Sequence, residues 1–100
     1  MTDARAAGEL ALRARDHHAR HVFDLRKVAR AIGERATGGY RDLRLAQQLP
    51  FDLSRTAPAQ RLEDWLEAHQ FRYGWYPTLP LADPLRGAHT EDYPELAIFW

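Results

Sequence analysis

Residues 3–37, DARAAGELALRARDHHARHVFDLRKVARAIGERAT, decide how this chain reads. At about 100° per residue, Ala4, Ala7, Leu10, Ala11, Ala14, His18, His21, Val22, Leu25, Val28, Ala29, Ile32 and Ala36 fall within roughly 60° of Leu25, one apolar stripe at helical pitch. No proline interrupts it. Opposite charges four apart, Glu9 with Arg13, Asp16 with Arg20, Arg20 with Asp24 and Arg30 with Glu34, add local helical support. The pattern predicts a long helix over 3–37, ended by Thr37, Gly38 and Gly39. Such a helix would be about 50 Å long, whereas a compact chain of this size has a radius of gyration of about 13 Å. The helix must therefore protrude, pair with a second chain, or break. Asp16 is the residue expected to cap a second helix if it breaks, although the stripe keeps its phase through that point.

Working outward, the pattern gives a short helix at 41–49 with Leu43 and Ala46 inward, stopped by Pro50. A turn-rich stretch leads to a third helix at 57–70, capped by Ser54 or Thr56, with Pro58 tolerated in its first turn. Leu62, Trp65, Leu66 and His69 form its inward face. The segment 71–100 is rich in proline and aromatic residues, and its ends, FRYGWY and LAIFW, have the composition of two short strands. The fold expected is one mainly α domain over 1–100, closed by this C-terminal segment and a small two-stranded sheet.

The chain has 100 residues, no cysteine and no net charge. It therefore has no disulfide framework and no thiolate to bind metal or attack a substrate. Neither a secretory signal nor a membrane span is legible, so the expectation is a cytoplasmic protein that makes no use of a membrane. Charge is divided between the halves: ten basic against six acidic residues in 1–50, four against eight in 51–100. Such halves attract each other on folding or across a dimer.

Chemistry-bearing constellations are sparse. His17 and His21, four apart, with Asp24 one turn beyond, have the spacing to present two imidazoles and a carboxylate to a metal. His18 and His21 lie inside the stripe and read as a polar layer in a helical seam. His89, Glu91 and Asp92 form a second ligand-type group. Ser54, the only serine, lacks the glycine-flanked elbow of a nucleophile, and Gly38-Gly39 is too short to cradle phosphate. Arg13, Arg20 and Lys27, seven apart, make a line along one helix face that could track phosphates, though Glu9, Asp16, Asp24 and Glu34 cancel much of its field. Ala29 and Gly33 have helix-turn-helix spacing, but Gly39 and Asp42 fall where its second helix needs apolar residues. The stretch Asp64-Trp65-Leu66 to Tyr73-Gly74-Trp75-Tyr76-Pro77 is similar to the segment before the last zinc ligand of D-Ala-D-Ala carboxypeptidases of the VanY type. The histidine, aspartate and E-x-W-H element of that family have no counterparts here, so the resemblance implies no ligand.

Because Tyr, Trp and Arg dominate interface hot spots, Arg72, Tyr73, Tyr76 and Trp100 are the expected partner-binding residues. The function expected is non-enzymatic and cofactor-free: binding to another protein or complex, with the long helix joining two copies. Its type would be an inhibitor or adaptor of a host or defence complex as phages and mobile elements encode, such as an anti-CRISPR or immunity protein. The alternatives are a nucleic-acid-associated regulator using Arg13, Arg20 and Lys27, and a metal protein using His17, His21 and Asp24.

Overall fold

The computed structural model describes residues 3–47, 51–77 and 93–100. Its elements in chain order are α1 (Ala4–Val22), α2 (Leu25–Thr37), β1 (Asp42–Arg44), α3 (Ala57–Ala68), β2 (Arg72–Pro77) and β3 (Pro94–Phe99). The chain is mostly helical, with a small antiparallel sheet in the order β1-β3-β2.

The N-terminal helix breaks, and it does so at Phe23 and Asp24 rather than at Asp16. Asp24 adopts extended backbone and its carboxylate accepts the Lys27 N–H at 3.1 Å, which makes it the N-cap of α2. Phe23, the C-cap of α1, is 3% exposed and meets the Trp75 ring edge-on at 5.7 Å. Burying an aromatic ring of this size and capping a new helix together outweigh the continuity of backbone bonding across two residues. Asp16 stays inside α1 and forms an ion pair with Arg20 at 3.1 Å.

The break divides the stripe. In α2, Val28 and Ile32 are buried. In α1, Ala4, Ala7, Leu10, Ala11, Ala14 and His21 all remain exposed, and Ala19 is the buried residue, with Val22 packed beside the core. From Ala4 to Arg15 every residue is exposed except the half-buried Ala6. Alanine-rich composition and the Asp3 cap, which accepts the Ala6 N–H at 2.8 Å, hold this half helical. The molecule measures 51 × 33 × 17 Å and has a radius of gyration of 15.5 Å, against about 13 Å for a compact chain of this length. The first half of α1 is thus an arm.

The two expected strands are present, and their antiparallel register sets Tyr73 opposite Ile98 and Trp75 opposite Leu96. The expected helix at 41–49 is not: residues 42–44 form β1, paired with β3 from Asp42–Phe99 to Arg44–Ala97. Leu96, Ala97 and Ile98 are all buried, so a two-stranded sheet would leave one edge of β3 with buried, unpaired backbone groups. β1 satisfies them, and the Leu45 N–H continues the pairing to the Leu96 carbonyl at 2.9 Å. Local helical propensity at 41–49 loses to that requirement. Ala46, expected inward, is exposed.

α3 begins at the Thr56 cap and lays Leu62 and Leu66, both 0% exposed, into the core with Leu53, Leu96 and Ile98. Each such side chain contributes roughly 1.5–3 kcal/mol by burial. Trp65 packs against that core and His69, expected inward, is exposed while stacked on the Trp65 ring at 4.5 Å. After α3 the chain reverses at Gln70, whose φ of 65° is left-handed, and the Phe71 N–H closes the turn on the Leu66 carbonyl at 2.9 Å.

Candidate functional site

The arm creates a groove. Where α1 passes the 52–57 segment, a depression of about 800 Å³ opens, walled by Leu12, Arg13, Arg20, Asp52, Arg55 and Ala57 among others. The far wall is built locally: Asp52 accepts both the Ser54 N–H, at 2.9 Å, and the Ser54 hydroxyl, tying a tight turn that sets Arg55 at the groove. The Ser54 hydroxyl holds the Asp52 carboxyl below its ordinary pKa despite some desolvation, with smaller help from the Ser54 N–H, Arg55 and Arg15. Leu53, next in line, is fully buried and anchors the turn to the core. On the near wall Arg20 holds Asp16, and the Arg15 guanidinium lies 4.9 Å over the Phe51 ring. Arg13 and Arg55 make no ion pair within 4 Å among the described residues. Leu12, 67% exposed, brings an apolar side chain to the same groove.

A second, smaller depression of about 390 Å³ adjoins the first at Arg20 and adds Arg26 and Arg61 beside Leu25 and Pro58. Of the residues expected to track phosphates, Arg13 and Arg20 share the first groove, whereas Lys27 lies beyond the break and lines neither. Arg15, Arg55 and Leu12 are additions that pattern reading missed. Arg55 is recognisable only once the Asp52–Ser54 turn is seen to fold it back toward α1.

The histidines divide in a way that the stripe does not foresee. His17 and His21 meet edge to face with ring centroids 4.9 Å apart, both exposed. His18 is half-buried, and its Nε2 is enclosed with no hydrogen-bond partner among the described residues. Asp24 does not join the pair, since its carboxylate caps α2. Among the described residues no three histidine, aspartate or glutamate side chains converge as metal ligands. His89, Glu91 and Asp92 lie outside the described residues.

The expected partner patch separates by strand alternation. Tyr73 faces α3 and donates its hydroxyl to Glu67 at 2.6 Å. That hydrogen bond, reinforced by burial and by the neighbouring Glu63, Glu67 and Asp64 charges, raises its pKa to about 12. Trp75 on the same face donates its indole N–H to Glu63 at 2.8 Å. Trp100 packs toward the core, edge-on to Phe71 at 6.2 Å. Arg72 and Tyr76 take the opposite face, where the Tyr76 ring covers Gly74 so closely that a Cβ there would lie 2.9 Å from it, and meets Phe99 edge-on at 6.2 Å. Below them Glu95, 6% exposed, accepts Arg44 Nε and the Gln47 N–H, each at 3.0 Å. Composition gave no sign that Glu95 would be central, since it reads as one more acidic residue in an acidic half.

Among the described residues no helix is long and apolar enough to cross a membrane. Comparison with known proteins finds no matching family model, no similar curated protein and no similar solved structure.

Proposed function

We propose that this chain acts by occupancy rather than by chemistry: a binding protein, working as an inhibitor or adaptor of a larger complex, whose arm joins two copies. The host and defence complexes met by phages and mobile elements are the setting we propose for it. The observation that supports this reading is the arm itself. Residues 4–15 form a capped helix that the rest of the described chain leaves exposed but for the half-buried Ala6. Isolated helices shorter than about 12–15 residues are marginal in water, so a partner against the outward stripe would stabilise it. Leu10, 57% exposed, is the largest apolar side chain of that stripe within the arm. Alanines at 7, 11 and 14 allow a second helix to approach closely.

Light scattering tests the self-association. Leu10→Glu places a charge at the centre of the proposed seam without touching the core. The expected result is a dimer mass for the parent chain and a monomer mass for the variant, with equal helicity by circular dichroism. A parent chain that stays monomeric at high concentration, or a variant whose mass is unchanged, overturns it.

A further inference from the structure

We propose that the arginine-lined trough between α1 and the start of α3 is a docking surface for an acidic, amphipathic segment of another protein. The inference rests on the reading of the chain as a binding protein and names the chemistry of its partner. It uses a face of α1 that adjoins the self-association seam: at 100° per residue Leu12 projects about 160° from Leu10 but Arg13 only about 60°.

The charge of the trough is asymmetric and partly uncommitted. Its larger part carries four guanidinium groups, of Arg13, Arg15, Arg20 and Arg55, against the carboxylates of Asp16 and Asp52. Asp16 is taken by Arg20, and Asp52 is committed to the Ser54 turn. The smaller part adds Arg26 and Arg61, and its one carboxylate, that of Asp24, is taken up as a helix cap. An acidic ligand therefore meets six guanidinium groups against three carboxylates, with the positive end of the α3 dipole at Thr56 and Ala57 adding to them. Along α1, Leu12 to Arg20 is about 12 Å, and the trough continues past the corner to Arg26.

Two features select a peptide over a nucleic acid. First, the three aspartates interrupt the arginines at Asp16, Asp24 and Asp52. A phosphate backbone carries a charge at every nucleotide and would be forced past each of them, whereas a peptide places its carboxylates opposite arginines only. Second, the trough is edged by exposed leucines, Leu12 at 67% and Leu25 at 38%, with the exposed Ala57 also in its lining. These would remain in water against a polyphosphate. Apolar side chains on one face of an amphipathic helix cover them, as in helix-in-groove recognition.

Fluorescence anisotropy on the full chain tests the proposal with three labelled probes: a helical peptide of about 16 residues with leucine on one face and glutamate on the other, poly-glutamate of equal charge, and single-stranded DNA of equal charge. The leucine–glutamate peptide is expected to bind at least about tenfold more tightly than either other probe, and more weakly as salt rises. Charge reversal at two exposed positions, Arg13→Glu with Arg55→Glu, should weaken it by about 100-fold, and Leu12→Asp by about 10-fold. Leu10→Glu should leave it unchanged, and a chain carrying Arg55→Glu alone should keep the parent's mass in light scattering. DNA binding more tightly than the peptide assigns the trough to phosphate and overturns the proposal. So does equal binding of peptide and poly-glutamate, or a peptide affinity indifferent to Arg13 and Arg55. Because the mass is read at Leu10 on α1 and the peptide also at Arg55 on the far wall of the trough, failure of either reading is seen separately.

Discussion

Replacing Glu95 with glutamine keeps the volume of a side chain at the centre of the sheet and removes only its charge. One oxygen of Glu95 takes the Arg44 Nε–H and the other the Gln47 N–H, both at 3.0 Å. The amide put in its place accepts one of these and turns its NH₂ toward the other donor. The loss is one charge-assisted hydrogen bond, about 1.5–3 kcal/mol. The Arg44 side chain is 42% exposed and can turn to water, so the cost falls near the middle of that range, about 2 kcal/mol. Arg44→Met should cost more, about 3 kcal/mol, because the carboxylate, 9% exposed, then remains in the sheet without its cation. It also frees the Pro77 carbonyl, which Arg44 binds at 3.0 Å. The double variant should be more stable than Arg44→Met alone, since a neutral amide at position 95 needs no cation. Urea unfolding at neutral pH followed by circular dichroism measures all four chains, and a loss of about 2 kcal/mol lowers the melting temperature of a chain this size by about 8–16 °C. Single variants that each lose less than about 0.5 kcal/mol, or Glu95→Gln costing more than Arg44→Met, would refute the reasoning by showing that water already serves the carboxylate.

Two further predictions concern the α3–β2 turn and face. Gln70 holds a φ of 65° that a side chain disfavours, so Gln70→Gly should raise stability by about 1 kcal/mol in the same assay, and a loss would show that the Gln70 side chain itself is needed. Tyr73 keeps its proton in the native state up to about pH 12, whereas the unfolded chain releases it near 10. Stability from this group is therefore full below about pH 10 and falls as pH rises toward 12. Tyr73→Phe should cost about 1 kcal/mol at neutral pH and flatten that alkaline decline; a decline identical to the parent's would place its cause elsewhere.

The helical start, α3 with its Thr56 cap, and both long strands were legible because each announces itself locally, by period, cap chemistry or aromatic and β-branched content. The rest depended on distant partners. β1 exists because Leu96 to Ile98 need a second neighbour, a fact written far along the chain from Leu43. The same separation hides Glu95, whose charge means nothing until Arg44 and Gln47 are placed beside it. At the candidate groove, Arg13 and Arg20 were visible from their spacing along one helix, but Arg55 and Leu12 were not. Arg55 reaches α1 only through the Asp52–Ser54 turn and the burial of Leu53, and Leu12 lies outside the stripe that marks the helix.

The break at Phe23 and Asp24 explains why one stripe reads continuously and yet serves two purposes. A straight helix would carry Leu10 and Ile32 on one side, so burying Val28 and Ile32 against the sheet would bury the alanine half too or leave it beside the core. By ending α1 at a buried Phe23 and restarting at the Asp24 cap, the chain turns the two halves of the stripe independently. The second half goes to the core and the first to solvent. That same corner sets Arg20, the last arginine of α1, against Arg26, in the first turn of α2, with Arg61 of α3 completing the depression. Three cationic side chains are thus gathered on elements that pack together through Phe23, Ala59 and Leu62. Of the three arginines only Arg20 has a carboxylate within ion-pair reach among the described residues, that of Asp16. Like charges gathered in this way, and for the most part left without carboxylates of their own, support the proposed docking of an acidic segment at the trough.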